Sequence, residues 1–129
     1  LIPPLRQDER IQLTQRAFNL LDAWEVPRKL QPELLGLGRL PRARSVQRYR
    51  LGTPLPETGD SYGRVALLLK IDLTLRKLFP HSELSANLWV TTLNPSFSNR
   101  PPLDTMLQGG LAGIRQVERY LNAPNGWNF

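Results

Sequence analysis

Trp89 to Leu121 reads W-V-T-T-L-N-P-S-F-S-N-R-P-P-L-D-T-M-L-Q-G-G-L-A-G-I-R-Q-V-E-R-Y-L, and the rest of the chain is best understood from this stretch outward. Pro95 moves Asn94 out of the right-handed helical region and so ends whatever helix precedes it. Pro101 and Pro102 suit the opening of a new helix, because a first-turn residue has no intrahelical use for its N–H and proline's φ is already helical. Asp104 then sits in the first turn, where the helix dipole favours a negative charge. Leu103, Leu107, Gly110, Ile114, Val117 and Leu121 recur at steps of three or four, which predicts one amphipathic helix with a single buried face. Gly109, Gly110 and Gly113 each cost that helix about 1 kcal/mol relative to alanine. Such a cost predicts that another backbone packs closely against it.

Upstream, a long leucine-rich stretch over 62–79 is apolar almost all round, with Val65, Ala66, Leu67, Leu68, Leu69, Ile71, Leu73, Leu75 and Leu78. A helix of that kind is buried on several sides, as the central helix of the fold and as half of a dimer interface. Asp60 or Ser61 is placed to cap it. Pro80 follows it, and Ser82 is expected to cap a further helix running to about Thr92 with Leu84, Leu88 and Trp89 turned inward. His81, the only histidine, has no Ser, Cys or carboxylate cluster placed to work with it and is read as an exposed helix-start residue.

The segment 53–59, with Pro54, Pro56 and Gly59, reads as a linker. Before it lie short helical candidates at 28–36 and 42–51, joined by a turn that carries Gly36 and Gly38; Gly52 occupies the C-terminal capping position of the second. That is the outline of a helix-turn-helix. Between Arg39 and Arg50 there are five arginines and no acid. On a helix, Val46 and Tyr49 would anchor to the core. Ser45, Gln47 and Arg48 are then assigned to base contacts, and Arg42, Arg44 and Arg50 to phosphates. The other reading of the same run is a solvated cationic face. The first helix is expected from about Asp8, with Leu13, Ala17, Leu20, Leu21 and Trp24 on its apolar stripe and Phe18 at the margin; it would brace the arginine-bearing unit.

Charge placement supports two surfaces. Residues 1–50 hold ten Arg or Lys against five Asp or Glu, whereas residues 81–129 hold three of each, so the overall charge of +6 sits at one end. A basic N-terminal half suits a polyanion, and a neutral C-terminal third suits protein. Hydrophobic residues make up 40% of the chain in periodic order, which excludes a disordered segment. Cysteine is absent, excluding disulfides and thiolate metal sites and suiting a reducing compartment. No apolar run approaches the roughly 20 residues of a membrane span. An enzyme is disfavoured as well: Gly109-Gly110 follows a helical stretch rather than a strand, no metal-ligand set is visible, and the carboxylates are dispersed.

The order N-P-x-F, P-L-D and G-G-x-x-G-x-x-x-V, preceded by the arginine segment and by Leu78-Phe79-Pro80, resembles the Xre/MbcA/ParS antitoxins with their C-terminal toxin-binding domain, partners of RES-domain toxins that consume NAD. The likeness spans about Leu30 to Leu121, with one departure: Pro101 stands where a Ser or Thr cap is expected. It implies an all-α fold of five to six helices, with a helix-turn-helix-like DNA-binding region over 1–56 and a toxin-binding and dimerisation domain over 57–129. It implies a RES-domain toxin and operator DNA as partners, a homodimer or a higher hetero-oligomer with the toxin, no cofactor, and a cytoplasmic setting. The toxin-facing surface it implies takes in Phe97, Arg115, Arg119, Tyr120, Asn122, Asn125, Trp127 and Phe129, with the C-terminal region blocking the toxin's NAD pocket. Phe97 keeps a second reading, as a plug for the core beneath its loop. The alternative function is a helix-turn-helix regulator with no toxin partner.

Overall fold

Helix α1, Gln7–Ala23, begins where Arg6 leaves extended backbone. Glu9 Oε1 accepts the Arg6 N–H at 2.9 Å, and Asp8 and Glu9 add negative charge to the first turn. The helix ends by a reversal through Glu25, whose φ of 59° is left-handed, with the Val26 N–H reaching back to the Leu21 carbonyl. The computed structural model describes residues 4–38 and 43–123 of the chain. Thr14, Ala17, Phe18, Leu20 and Leu21 are buried along α1. Phe18 is therefore a core residue and not a marginal one: its ring stacks on Tyr49 with centroids 6.4 Å apart, joining α1 to the arginine-bearing helix.

A 3-10 turn, Arg28–Leu30, leads into the short α2, Gln31–Leu34. Gly36 and Gly38 follow with φ of 81° and 72°, conformations that a Cβ disfavours, and turn the chain away from α2. Helix α3, Ala43–Arg50, is closed by Gly52 at φ 121°. The next stretch is a strap pinned at its centre. Leu55 is fully buried; its N–H donates to Thr14 Oγ1 at 2.9 Å, and its carbonyl accepts from Tyr62 Oη at 2.7 Å. Both backbone groups of this buried residue are thus satisfied by side chains of flanking helices.

Helix α4, Ser61–Leu78, packs against α1, α5 and α6 and is the centre of the molecule. Val65, Leu68, Ile71 and Leu75 are its buried stripe, at helical spacing. Its apolar circumference is only partly used, since Leu73 is 60% exposed. Asp60 precedes it without capping it through its side chain, which instead accepts a hydrogen bond from Arg64 Nε at 2.9 Å. Helix α5, Glu83–Leu88, is capped by Ser82, whose Oγ accepts the Ser85 N–H at 3.1 Å. The helix is shorter than its sequence suggests and passes into a 3-10 turn, Trp89–Thr91. Ala86, Trp89 and Val90 face inward, leaving Leu84 69% exposed where an inward position was expected. The reason is register: with the cap at Ser82, positions 86, 89 and 90 share one stripe and 84 falls outside it.

Helix α6, Pro102–Leu121, departs from the expected single rod. Gly110 adopts φ 58° and ψ −138°, which interrupts the helix and divides it into 102–109 and 111–121. Across the break the halves crowd together: a side-chain carbon built on Gly113 would fall against the carbonyl oxygen of Thr105. The close backbone approach predicted from the glycines is therefore real at Gly113, and it is made by the same helix. No such approach occurs at Gly109. Leu103, Met106, Ile114, Val117 and Leu121 join Phe18, Leu21, Trp24, Leu34, Leu55, Leu68 and Leu75 in one core cluster, so the apolar interior runs without interruption past position 56. Among the described residues there is no strand, only an isolated bridge between Asn94 and Arg100.

Candidate functional site

On α3, Tyr49 is buried and Val46 half-buried, so this face holds the helix to the core as the spacing predicts. Gln47 and Arg48 are exposed. Arg48 lies over the ring of Tyr49, 4.9 Å from its centroid, and its Nη2 donates to Tyr49 Oη at 3.1 Å. That contact orients the guanidinium without neutralising it. Arg44 and Ser45 belong to the α3 backbone, and their side chains lie outside the described residues, as does Arg42 entirely.

Arg50 departs from the phosphate role assigned to it. Its Nη1 donates to Asp22 Oδ2 at 2.7 Å, and its Nη2 to Asp22 Oδ1 at 3.0 Å and to Gln31 Oε1 at 2.6 Å. The guanidinium also covers the Phe18 ring at 4.9 Å, and the side chain is only 15% exposed. Gln31 completes the cluster by donating to Asp22 Oδ1 and to the Val26 carbonyl, each at 3.0 Å. The hydrogen bonds from Arg50 hold the Asp22 carboxyl below its usual range; burial opposes them, while Gln31 and the charges of Arg50 and Arg28 add to them. This two-pronged pair fastens the end of α3 to α1 and α2. Asp22 and Gln31 carried no signal in the sequence, because they meet Arg50 only across separations of 28 and 19 residues.

A second surface forms around residues 94–100. Asn94, buried, organises this loop: its side chain accepts the Ser96 N–H at 2.9 Å, and its carbonyl accepts from Phe97 and Asn99. Ser98 and Asn99 are both left-handed, with φ of 59° and 58°. The effect is to hold Phe97 over α6, where it meets Tyr120 edge-on at 5.0 Å and Trp89 at 6.0 Å. Tyr120 stacks on Trp89 at 6.1 Å, and its hydroxyl donates to Ser96 Oγ at 3.1 Å. Phe97 and Tyr120 are half-buried, so each both packs on the interior and shows an edge at the surface. Trp89 is the buried floor of this triad and was not singled out by the sequence as part of a site.

Along the second half of α6, Arg115, Arg119 and Asn122 are exposed at steps of four and three. The Asn122 amide donates to Glu118 O at 2.9 Å and to Glu118 Oε1 at 3.2 Å. Neither arginine forms an ion pair among the described residues. Asn125, Trp127 and Phe129 lie outside the described residues. Among the described residues no helix is long and apolar enough to cross a membrane.

Residues 74–126 match the model of the antitoxin Xre/MbcA/ParS C-terminal toxin-binding domain. The matched region opens in the last turn of α4 and contains the aromatic triad, the Asn94 loop and both halves of α6. The chain is also similar to the uncharacterized protein y4oB of Sinorhizobium fredii (strain NBRC 101917 / NGR234), 34% identical over 109 residues, or 84% of this chain and 81% of the relative. No solved structure matches. An all-helical chain whose C-terminal region carries this domain over the ring cluster and the broken helix belongs to the Xre/MbcA/ParS antitoxin family, with a toxin as the partner of that domain.

Proposed function

We propose that this antitoxin neutralises a RES-domain, NAD-consuming toxin through the surface formed by Phe97, Tyr120, Arg115, Arg119 and Asn122, continued by the tail with Asn125, Trp127 and Phe129. The same chain represses its own operon through α3, with Arg42, Arg44, Ser45, Gln47 and Arg48 meeting the DNA and Arg50 setting the helix in place. It does so as a homodimer, or as a larger assembly with the toxin, that offers two copies of α3 to two half-sites. The division at 56/57 is then one of surfaces over a shared core.

The observation that carries this reading is the placement of two sets of exposed groups on separate helices. Gln47 and Arg48 stand on α3, and Arg115 and Arg119 on the last helix, which also carries Tyr120, a ring of the kind that dominates protein interfaces. Catalysis belongs to the partner, and this chain contributes recognition.

Two measurements test it. Coexpression with the neighbouring RES-domain protein should yield a stable complex that restores growth, and deletion of residues 123–129 should weaken it. A monodisperse antitoxin that ignores the toxin would overturn the neutralisation reading in favour of an orphan regulator. Binding to its own promoter should be salt-sensitive, and Arg44→Ala, at a position assigned to phosphate, should reduce the slope of log K against log salt by about one. An unchanged slope would remove α3 from the DNA interface.

A further inference from the structure

Arg64, in the first turn of α4, stands at a junction that neither proposed binding surface includes. Its side chain is 15% exposed. Nε donates to Asp60 Oδ1 at 2.9 Å, and Nη1 lies 3.3 Å from both the Glu33 and Leu34 carbonyl oxygens at the C-terminal end of α2. A cation there meets the negative end of the α2 peptide dipoles, where the Glu33 carbonyl also accepts the Gly36 N–H at 3.1 Å. The third nitrogen, Nη2, points to the break in α6: a side-chain carbon built on Gly110 would come 3.2 Å from it. On the other side, a carbon built on Gly36 would come 2.8 Å from Asp60 Oδ1 and 3.0 Å from Arg64 Nε.

Two glycines with positive φ, one in the turn that leads to α3 and one at the break in α6, thus close onto the same ion pair. One residue before Arg64, Gly63 lies near Leu111, the first residue beyond the break, whose Cδ1 would make an ordinary contact, 3.9 Å, with a carbon added there. The break is therefore seated on the first turn of α4. A planar guanidinium can serve a carboxylate, two carbonyls and a backbone turn from one position, which a flexible ammonium cannot.

We propose that Arg64 is a positioning residue: with Asp60, it seats the Gly110 break against the α2–α3 turn and so sets the direction of 111–121, the helix half that carries Arg115, Arg119 and Tyr120. The inference deepens the proposed function and rests on it for the identity of the bound toxin. Without Arg64 the second half of α6 retains its helix and its apolar contacts but samples a wider range of directions. Toxin binding then bears the cost of ordering it.

The chain has no cysteine, so Lys70→Cys with Gln116→Cys, both at exposed positions, allows clean spin labelling of α4 and of the second half of α6. Distance distributions from pulsed electron paramagnetic resonance are compared for Arg64, Arg64→Lys and Arg64→Gln, with each variant checked by circular dichroism to be fully folded. The expected result is a narrow distribution for the parent, a broader or displaced one for Arg64→Gln, and an intermediate one for Arg64→Lys. The dissociation constant for the RES-domain toxin should rise about tenfold in Arg64→Gln through the lost preorganisation. An unchanged distance distribution overturns the positioning role whatever the toxin does, and Arg64→Lys decides the question if Arg64→Gln does not fold. A changed distribution with unchanged toxin affinity overturns its relevance to binding. A parent protein with a narrow distribution and no affinity for the toxin refutes the proposed function while leaving the seating of the helix intact.

Discussion

Replacing Gly113 by alanine should destabilise this protein even though the position is helical, and the structure sets both the sign and the size. By propensity alone, glycine to alanine inside a helix gains about 1 kcal/mol. Here the added carbon would overlap the Thr105 carbonyl oxygen, with the Thr105 carbonyl carbon at 3.1 Å and the Met106 Cα at 3.3 Å. All three are backbone atoms, which cannot rotate away as a side-chain end can. The first half of α6 must move off the second, disturbing the fully buried Met106 and Ile114. Overpacking of this kind costs about 1–3 kcal/mol, and the rigid obstacle places it in the upper part of that range. After subtraction of the propensity gain, a net loss of about 1–2 kcal/mol remains, or roughly 4–7 °C in Tm for a domain of this size. Gly109→Ala is the matched control, since an added carbon there meets nothing within 4 Å. It should gain about 0.5–1 kcal/mol and raise Tm by a few degrees. Thermal unfolding followed by circular dichroism, with urea midpoints for both variants, makes the comparison. A Gly113→Ala protein as stable as its parent, or a Gly109→Ala protein that loses as much, would refute the close approach of the two halves.

Thr14→Val should cost about 1–3 kcal/mol because it leaves the buried Leu55 N–H without its acceptor, whereas Thr14→Ser should cost much less; urea titration separates the two. Asp22 titrates below its usual range in the folded chain, chiefly through the hydrogen bonds from Arg50, so the stability it contributes is complete above the ordinary carboxylate range and is lost as pH falls through the lowered value. Asp22→Asn should therefore lower the urea midpoint at neutral pH and flatten its decline towards acid, and an unaltered decline would show that this carboxylate does not contribute to it.

The boundary residues explain which parts of this architecture could be read in advance. Ser82, Gly52 and the Pro101–Pro102 pair act through their own backbone or that of near neighbours, so the helix ends they mark are where the sequence places them; Pro95 marks no such end, because the helix before it has already stopped at Leu88. The anchoring of α3 by Tyr49 is visible as spacing, whereas Val65, Leu68, Ile71 and Leu75 are four of nine apolar positions that read as apolar almost all round, and packing alone makes them the buried stripe. Leu84 misled because an apolar residue on a short amphipathic turn does not announce which side of the register it falls on. The arrangement of the expected site residues was not legible in the sequence. Phe97 and Tyr120 do come together, yet they do so over Trp89, and only the loop closed by Asn94 makes that possible.

By itself the sequence determined what depends on local covalent preference and periodicity: an all-helical chain, its approximate boundaries, a basic end apart from a neutral end, and the likeness to an antitoxin family. The tertiary structure alone decided how charges are used. Arg48 and Arg50 are the same residue type two positions apart on one helix; one remains at the surface and the other is sequestered by Asp22 and Gln31, because the helical rotation between them turns one outward and the other to the α1–α2 corner. It also decided that three glycines in one helix have three roles, an exposed position at Gly109, a left-handed break at Gly110 and a backbone contact at Gly113. A missing Cβ is the same in every sequence, and its meaning is supplied by whatever the folded chain brings within reach of it.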